Sequence, residues 1–315
     1  MSINQDSYRN LGMDVPEAFA AMRVDRYLGT RFLFLSRTEW NRRLRKGEVL
    51  VNERPVKASF RLKEGDRVCY FCPVEKEPPV NTNIRIISED EGVLAIYKPP
   101  NLPMHEGGAY RKNTFYEVLR DRLGPDCAAV HRLDRETSGI VLCARDPELR
   151  NALSAGLRER VFEKTYLAIV HGVPEQEEWS VDAPLGDALE TSFRVKQWVR
   201  PDGAESLTTF RCLESRKGRS LLQVSPKTGR THQIRVHGSW SGFPLVGDKK
   251  YYPDESIYLE YLENGFTDRV RSACYTERLC LHATAMRYQH PVHGRVSEVH
   301  SPIPDDMKAI WDSFL

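Results

Sequence analysis

The segment PVEKEPPVNTN (73–83) constrains the fold of this chain most, because it divides the sequence into two parts of different character. It combines prolines with charged and polar residues and contains few apolar ones, which is typical of a linker. With 315 residues the chain is long enough for two domains. We therefore expect a flexible N-terminal tail over 1–17, a small domain over 18–72, the linker, and a larger domain over 84–315.

The net charge is distributed unevenly between these parts. Residues 22–67 contain thirteen Lys and Arg against six Asp and Glu, a net charge of +7. Because the whole chain carries +2, the remainder carries −5. A basic module attached to a mildly acidic body is typical of a protein that binds nucleic acid.

The basic module has the pattern of a small α/β domain. Apolar residues at helical spacing predict a first helix that begins near Val24. Ser36 with Glu39 three residues later resembles a capping box, which predicts a second helix over about 37–46. The apolar run at 49–51 and the turn after it predict a short hairpin.

The second predicted helix carries a row of basic side chains. A row of this kind can bind the phosphate backbone of a nucleic acid. It can equally form a solvated helix face or a docking surface for another protein, and the residues leave these alternatives open. The four candidates for RNA binding are Arg42, Arg43, Arg45 and Lys46.

The larger part alternates short apolar runs with turn residues. This pattern predicts an α+β domain with a mixed, mainly antiparallel sheet. The runs at 92–99, 139–145 and 220–226 are among the predicted strands, and 113–123 and 146–160 are predicted helices. The sequence contains neither G-x-G-x-x-G nor a P-loop, so no nucleotide cofactor is expected.

The composition indicates a cytoplasmic protein with no membrane partner. The uninterrupted apolar runs are far shorter than the roughly 20 residues of a membrane span, and the N-terminal residues lack the apolar core of a signal peptide. Seven cysteines, an odd number in a long chain, indicate free thiols rather than a disulfide framework.

Two groups of side chains raise the question of a metal site. Cys69, Cys72, Cys274 and Cys280 are able to form a zinc site, but a lone C-x-x-C inside a predicted strand favours apolar packing. The histidines lack the H-E-x-x-H pattern, so we expect hydrogen-bonding, core or surface roles and no metal. They are His131, His232, His237, His282 and the pair His290 and His293.

The segment HRLDRETSG (131–139) has the clearest chemical potential. It places Asp134 between Arg132 and Arg135 at the mouth of a predicted strand. A carboxylate beside guanidinium groups stays ionised and can act as a nucleophile or a base. The alternative is that Asp134 serves only as a structural ion-pair partner.

Two further segments carry candidate residues. In EKTYLAIVHG (163–172), Tyr166 opens a predicted strand and either lines a cleft or belongs to the core. We expect SPKTGRTHQIRVH (225–237) to be extended, with Gln233 and Arg235 on one side and Ile234 on the other.

Both parts of the chain resemble known families. HRLDRETSG, KTYLAIVHG, TGRTHQIRVH, PLVGDKKYY and LHATAMRYQHP occur in an order that closely resembles the RluA-type pseudouridine synthases, over about 84–305, with KPPNLPMH as the leading motif. The basic module resembles the small RNA-binding domain named after ribosomal small-subunit protein four. This second resemblance lies in RVDRYL, the stretch from Ser36 to Asn52, and LKEGDRV.

The resemblance implies an isomerase that converts uridine in RNA to its C-glycoside without cofactor or metal. It implies that Asp134 is the catalytic aspartate and that Tyr166 packs against the target base and acts in proton transfer. Arg235 then pairs with the catalytic carboxylate. We expect substrate contacts from other residues of the same motifs, namely Arg132, Arg135, Thr137, Arg230, His232 and Gln233.

The expected partner is structured RNA, with ribosomal RNA favoured by the attached basic module. Transfer RNA is an alternative substrate, and a non-catalytic RNA-binding ribosome-assembly factor on the same fold is an alternative function. We expect a monomer without an obligate protein partner. No role is assigned to the stretch 253–280, which lies between two matched motifs.

Overall fold

The chain divides into two compact units, Met1–Lys76 and Glu77–Leu315. The division falls inside the segment 73–83. The computed structural model describes residues 8–32, 36–73, 77–159, 161–189, 191 and 196–315, and the side chains of 8–11 and 71–73 lie outside this description. In the described residues, no helix combines the length and the apolar character that crossing a membrane requires.

The first unit packs two helices on an antiparallel sheet. The helices are α1 (Val24–Arg31) and α2 (Arg37–Arg45), preceded by a short 3-10 turn at Glu17–Phe19. The strands are β1 (Tyr8–Asp14), β2 (Val49–Val51), β3 (Arg54–Pro55) and β4 (Arg67–Pro73), in the spatial order β1-β4-β2-β3.

Residues 8–14 differ from the expected flexible tail over 1–17, of which residues 1–7 lie outside the described part of the chain. Strand β1 pairs with β4 along its whole length, from Tyr8 opposite Pro73 to Asp14 opposite Arg67. The sequence gives little sign of this strand, because YRNLGMD lacks an alternation of apolar and polar residues. Backbone pairing along an available sheet edge orders the segment instead.

Helix α2 forms as its capping pattern predicts. The Ser36 side chain accepts a hydrogen bond from the backbone N–H of Glu39 at 3.2 Å. The apolar side chains Trp40 and Leu44 are buried against Tyr27 and Leu28 of α1 and the residues of the sheet. This core turns the basic side chains of α2 away from the interior.

The second unit is built on a larger mixed sheet. Its strands are β5 (Arg85–Asp90), β6 (Val93–Lys98), β7 (Ala128–Ala129), β8 (Ser138–Ala144), β9 (Glu163–His171), β10 (Glu178–Asp182), β11 (Leu185–Asp187), β12 (Gln197–Val199), β13 (Leu207–Arg216), β14 (Arg219–Pro226), β15 (Leu281–Gln289) and β16 (Val296–His300). Its helices are α3 (Phe115–Leu123), α4 (Pro147–Arg158), α5 (Gln233–Trp240), α6 (Glu255–Asn264), α7 (Asp268–Cys274) and α8 (Asp305–Asp312).

The sheet order confirms the predicted mixed, mainly antiparallel architecture. The strands follow the order β10-β13-β14-β9-β15-β8-β6-β5, with β16 beside β15 and β7 beside β8. The pairing of β8 with β15 is parallel, and the other pairings of this sheet are antiparallel. Strands β11 and β12 form a separate hairpin.

Strand β8 lies at the centre of this sheet, and all of its residues are buried. Gly139 near its start has a φ of +120°, and a Cβ there would overlap the backbone carbonyl of Ala283 in β15. Only glycine allows this close approach. The motif 131–139 is therefore held directly against the centre of the sheet.

The expectation of an extended segment over 225–237 is wrong in its second half. Strand β14 ends at Pro226, and Gln233 begins helix α5. The residues from Gln233 to Gly238 are buried on every side of this helix, so they show no polar face from which a helical period could be recognised. Because successive helical side chains are about 100° apart, Gln233 and Arg235 do not share one face.

Candidate active site

The motif residues surround one pocket of about 220 Å³ in the second unit. The loop between β7 and β8, strand β9, the loop after β14 and the start of α5 form its walls. Asp134, Tyr166 and Arg235, which are far apart in sequence, meet here. The other lining residues are His131, Arg132, Leu133, Thr137, Lys164, Pro226, Thr228, Gly229, Arg230, His232, Gln233, Ile234 and Leu281.

A buried lysine holds the loop that carries Asp134 in place. Lys98, at the end of β6, donates hydrogen bonds from Nζ to the backbone carbonyls of Pro99, Leu102 and Arg135 at 2.8–3.0 Å. Burial holds the pKa of Lys98 well below its ordinary value. In the sequence, the signal for Lys98 is weak and consists of its place before a proline at the end of an apolar strand.

Asp134 lies at the pocket wall with about a fifth of its side chain exposed. Its Oδ2 accepts a hydrogen bond from Nη1 of Arg235 at 3.3 Å. The guanidinium thus fixes the position of this carboxylate at the wall. The geometry therefore presents a negative oxygen to whatever occupies the pocket.

Arg235 is buried and held by a second carboxylate that sequence reasoning missed. Its Nε and Nη2 donate to the two oxygens of Asp248 at 2.7 and 2.9 Å, and Asp248 is fully buried. Burial lowers the pKa of Arg235, but Asp248, Asp134 and Glu136 outweigh it and raise the pKa above its ordinary value. This fork-to-carboxylate pair fixes the guanidinium plane and directs Nη1 toward Asp134.

Asp248 is oriented by the turn that contains it. Oδ1 accepts hydrogen bonds from the backbone N–H groups of Lys250 and Tyr251 at 3.1 Å. The preceding Gly247 has a φ of +80°, and a Cβ there would overlap the carbonyl of Arg278. The motif PLVGDKKYY thus places a buried carboxylate behind Arg235, a function that its letters did not suggest.

Glu136 and Lys249 complete the charge network. The Lys249 Nζ lies 2.8 Å from the Glu136 carboxylate, and Arg235 lies 3.6 Å from it. Burial raises the pKa of Glu136, but Lys249 and Arg235 reverse this effect and lower the pKa to about 2. Three carboxylates and two cations therefore share one compact site around Arg235.

Tyr166 forms an aromatic wall of the pocket. It lies in β9 opposite Val224 of β14 and Ala283 of β15, and it is 9% exposed. Burial, together with the charge of Asp134, raises the pKa of its phenol above the ordinary value, so the hydroxyl stays protonated at neutral pH. A flat ring at this position can stack on a base.

Two predicted substrate-binding residues are engaged with the protein itself. Gln233 donates to the Leu207 carbonyl and to Thr208 Oγ1, and its Oε1 accepts from Arg230 N–H at 3.0 Å and from Thr228 Oγ1 at 2.7 Å. The amide therefore holds the loop 228–230 against α5, which is a positioning role.

His232 is similarly engaged. Its Nδ1 lies 2.7 Å from the hydroxyl of Tyr251, and its φ of +57° turns the chain into α5. Burial lowers the pKa of His232 to about 4, so the ring is neutral at pH 7.

The remaining candidates differ in exposure. Arg132 and Arg230 are exposed at the pocket rim, and Thr137 is buried with an Oγ1 that has no hydrogen-bond partner among the described residues. Arg135 lines a neighbouring pocket together with Arg132, and its Nη1 donates to the Tyr110 hydroxyl at 3.3 Å.

The four basic residues at the end of α2 belong to the first unit and are not equivalent. Arg42 contacts both oxygens of Glu39, and Arg43 bonds to Glu39 and Glu48 while only 14% of its side chain is exposed. Arg45 and Lys46 are exposed, and the structure gives neither an ion pair with a described carboxylate. The last two are therefore more available to a phosphate.

One cluster in the described part of the chain has metal-ligand chemistry. The ligand atoms of Asp90, His290 and His293 lie within 4.8 Å of one another. The Nδ1 atoms of both rings accept backbone N–H groups, which puts the ring protons on the Nε2 atoms that face Asp90. The cluster is thus satisfied as hydrogen-bonded side chains.

The cysteines considered for zinc are occupied differently. The thiols of Cys274 and Cys280 contact the backbone carbonyls of Asp248 and Arg278, and burial raises the pKa of each to about 12. The side chain of Cys72 lies outside the described residues, and Cys69 is buried in the first unit.

Each of the two parts of the chain matches a known protein family. The family model described as RNA pseudouridylate synthase matches residues 92–240, and the S4 domain model matches residues 22–68. Human RNA Pseudouridylate Synthase Domain Containing 1 is similar in structure, with a TM-score of 0.58 and 25% identity over 74% of this chain and 90% of that one.

Curated relatives match over nearly the whole length. Ribosomal large subunit pseudouridine synthase C of Vibrio cholerae is 36% identical, and its namesake in Escherichia coli K12 is 34% identical, each over 92% of both chains. Uncharacterized RNA pseudouridine synthase YlyB of Bacillus subtilis is 31% identical over 92% of this chain and 93% of its own. With this coverage and with the motif residues assembled in one pocket, the chain belongs to the RluA-type family of RNA pseudouridine synthases.

Proposed function

We propose that this enzyme isomerises uridine in large-subunit ribosomal RNA and that Asp134 is its catalytic carboxylate. The observation that carries the proposal is the Asp134 carboxylate at the pocket wall, 3.3 Å from an Arg235 guanidinium that Asp248 holds in place. The names of the curated relatives in Vibrio cholerae and Escherichia coli support this RNA as the substrate.

The pocket suits a base that has left its helix. A uridine inside folded RNA has to be flipped out before its glycosidic bond can be reached. Tyr166 offers the stacking surface, which contributes about 1–3 kcal/mol per base in single-strand recognition. Arg132 and Arg230 at the rim hold the strand while the base is inside.

The reaction breaks the bond between C1′ and N1 and forms a bond between C1′ and C5. C5 loses its proton and N1 gains one, so the composition is unchanged. In one route Asp134 attacks C1′ and displaces N1, and C5 then displaces Asp134 from C1′. In the other route Asp134 stabilises the positive charge at C1′, accepts the 2′ proton and returns it when the new bond forms. Both routes place the same carboxylate beside the sugar. One carboxylate suffices because uracil is both leaving group and nucleophile, whereas a typical glycosidase uses two.

Arg235 holds the carboxylate of Asp134 in place, and the protonated Tyr166 acts in proton transfer at the base. The three side chains all come from one copy of the chain, which supports a monomeric enzyme. Since ribosomal RNA is the proposed substrate, the cytoplasm is the proposed compartment. Light scattering at the concentration of the assay tests the oligomeric state.

The test uses purified protein with separate transcripts of large-subunit ribosomal RNA, small-subunit ribosomal RNA and transfer RNA. Pseudouridine is mapped by primer extension after carbodiimide labelling. We expect modification of the large-subunit transcript, none with Asp134→Asn, and unchanged modification with the exposed control Asp121→Asn. Modification of transfer RNA alone would overturn the substrate, and turnover by Asp134→Asn would overturn the role of Asp134.

A further inference from the structure

A second pocket, of about 300 Å³, lies directly beside the catalytic pocket. The two pockets share the residues of the loop after β14 and one residue of β9, so an RNA strand that enters one lies next to the other. The shared residues are Lys164, Pro226, Thr228, Gly229 and Arg230. The second pocket adds Leu157, Arg158, Phe162 and Lys227.

The lining of this second pocket is positive and contains no carboxylate. Its four cations come from three parts of the fold: the end of α4, strand β9 and the loop after β14. In the described part of the chain, none of the four has an ion pair with an acidic side chain, and Arg230 donates its Nε to the Glu205 carbonyl only. They are Arg158, Lys164, Lys227 and Arg230.

Lys164 is one of the two cations, with Arg230, that line both pockets. It precedes Tyr166 by two residues in β9, so both side chains leave the same face of the strand. Its Nζ lies 3.8 Å from the position that a Cβ on Gly229 would occupy, so the ammonium lies against the backbone of the loop. Burial lowers the pKa of Lys164, and an anion beside it would offset this cost.

The loop that faces Lys164 is rigid before any ligand arrives. The Gln233 amide accepts hydrogen bonds from Arg230 N–H and Thr228 Oγ1, and it is anchored in turn on Leu207 and Thr208. The Phe162 and Leu157 side chains add an apolar surface to one wall. A phosphate with its ribose matches this combination of fixed cations and a small apolar wall.

We propose that this second pocket, with Lys164 in its lining, binds the backbone phosphate of a nucleotide adjacent to the target uridine. The proposal rests on the proposed function, because it takes RNA as the ligand of the neighbouring pocket. Lys164 is then a binding residue that fixes the register of the strand, so that only one uridine reaches Asp134.

The first test measures how RNA affinity depends on salt. All proteins carry Asp134→Asn so that no turnover occurs during titration, and the probe is a short hairpin around the uridine mapped in the transcript experiment. Lys164→Gln should reduce the slope of log K against log salt by roughly 0.7, the value for one phosphate on a single strand. Lys164→Arg should restore the slope. Lys217→Gln, at the opposite end of β14, should leave it unchanged.

The second test locates the phosphate by changing the RNA, one linkage at a time, for the protein with Lys164 and for Lys164→Gln. Single methylphosphonates are placed in turn on either side of the target uridine. One neutral linkage should weaken binding to the protein with Lys164 by about tenfold and have no effect with Lys164→Gln. An equal penalty for both proteins at every position would overturn the proposal. Failure of the proposed function would show earlier, as the absence of pseudouridine in the ribosomal transcripts.

Discussion

Helix α2 of the first unit and helix α5 of the second both combine arginines with carboxylates, yet they place them in opposite environments. In α2, Arg42 pairs with Glu39 one turn away, and about half of the arginine side chain is exposed. In α5, Arg235 is 4% exposed and pairs with Asp134 and Asp248, which come from distant parts of the chain. The same residue types therefore form a solvated surface in one unit and a buried, fully paired network in the candidate active site of the other.

This difference in burial determines whether each arginine can exchange its carboxylate partner for a phosphate. A surface ion pair contributes little to stability, so its arginine can leave a glutamate for a phosphate at small cost. A buried ion pair cannot be opened without leaving an uncompensated charge. Arg235 is thus a fixed element that positions Asp134, and the outer residues of α2 are exchangeable contacts.

Removal of Arg235 should have the largest effect. Arg235→Met leaves the carboxylates of Asp134 and Asp248 facing each other without a cation, which should cost about 3–5 kcal/mol of unfolding free energy. Chemical denaturation measures this loss, and pseudouridine formation should disappear with it. Arg235→Lys keeps the charge but not the fork, so it should recover part of the stability and less of the activity.

If Arg235→Met proves as stable as the parent protein, the buried network does not hold the site. A stable but inactive Arg235→Met would separate the catalytic effect of the guanidinium from its structural effect. Either result would reduce the contrast between α5 and α2.

The second prediction concerns acid. The pKa of Glu136 is lowered to about 2, so its pairing with Lys249 stabilises the fold fully above about pH 4.5 and is lost as the pH falls toward 2. The contribution is on the order of 3 kcal/mol. Glu136→Gln should therefore be less stable than the parent at pH 6 and should approach it near pH 2.

Unfolding free energies of both proteins across this range give the comparison, with Glu175→Gln on an exposed loop as the baseline. A stability difference that is independent of pH would mean that the carboxylate charge of Glu136 does not stabilise the fold. The surface pairs of α2 should show no comparable acid sensitivity, because solvent screens them.

Much of this architecture could be predicted from local signals. The capping box at Ser36, the strands around 139–145 and 220–226, and the mainly antiparallel sheet all follow from short-range patterns. Asn101 follows two prolines and adopts the left-handed backbone with a φ of +61°, which asparagine tolerates better than most residues. The motifs also mark Asp134, Tyr166 and Arg235 as candidates from the sequence alone.

The rest depends on contacts between residues far apart in sequence. Asp248 acts through the buried guanidinium of Arg235, and Lys98 acts through three backbone carbonyls. No local sequence pattern encodes those partners. Helix α5 is buried on all sides, so its period is hidden, and β1 forms because β4 offers it an edge. Arg43 looked like its neighbours in sequence, but half-burial commits it to two glutamates.

The third prediction concerns Arg45 and Lys46, the exposed basic residues at the end of α2. The double variant Arg45→Gln with Lys46→Gln should weaken binding to the ribosomal transcript several-fold and reduce the salt slope by roughly 1.4, for two phosphates on a single strand. Filter binding at several salt concentrations measures both. Arg43→Gln, which alters the same net charge by one, should leave the slope unchanged because its guanidinium is already paired.

If Arg43→Gln reduces the salt slope by as much as each substitution of the double variant does, the ion pairs of Arg43 must break when RNA binds. Deletion of residues 1–75 sets the upper limit of this effect. An unchanged salt slope after that deletion would contradict an RNA-binding role for the first unit.

The smallest effect is expected for Arg42→Met. Its guanidinium bonds only to the partly exposed Glu39 among the described side chains, and Glu39 keeps Arg43 as a second partner. Water then takes the place of the Arg42 guanidinium beside Glu39, so the unfolding temperature should not change measurably. Hydrogen exchange of the α2 amides gives a local readout for the first unit. Faster exchange throughout α2 would mean that the pair of Arg42 with Glu39 stabilises this helix, as Arg235 holds the candidate active site in place. The two helices would then differ in the burial of their ion pairs and not in how much those ion pairs stabilise the structure.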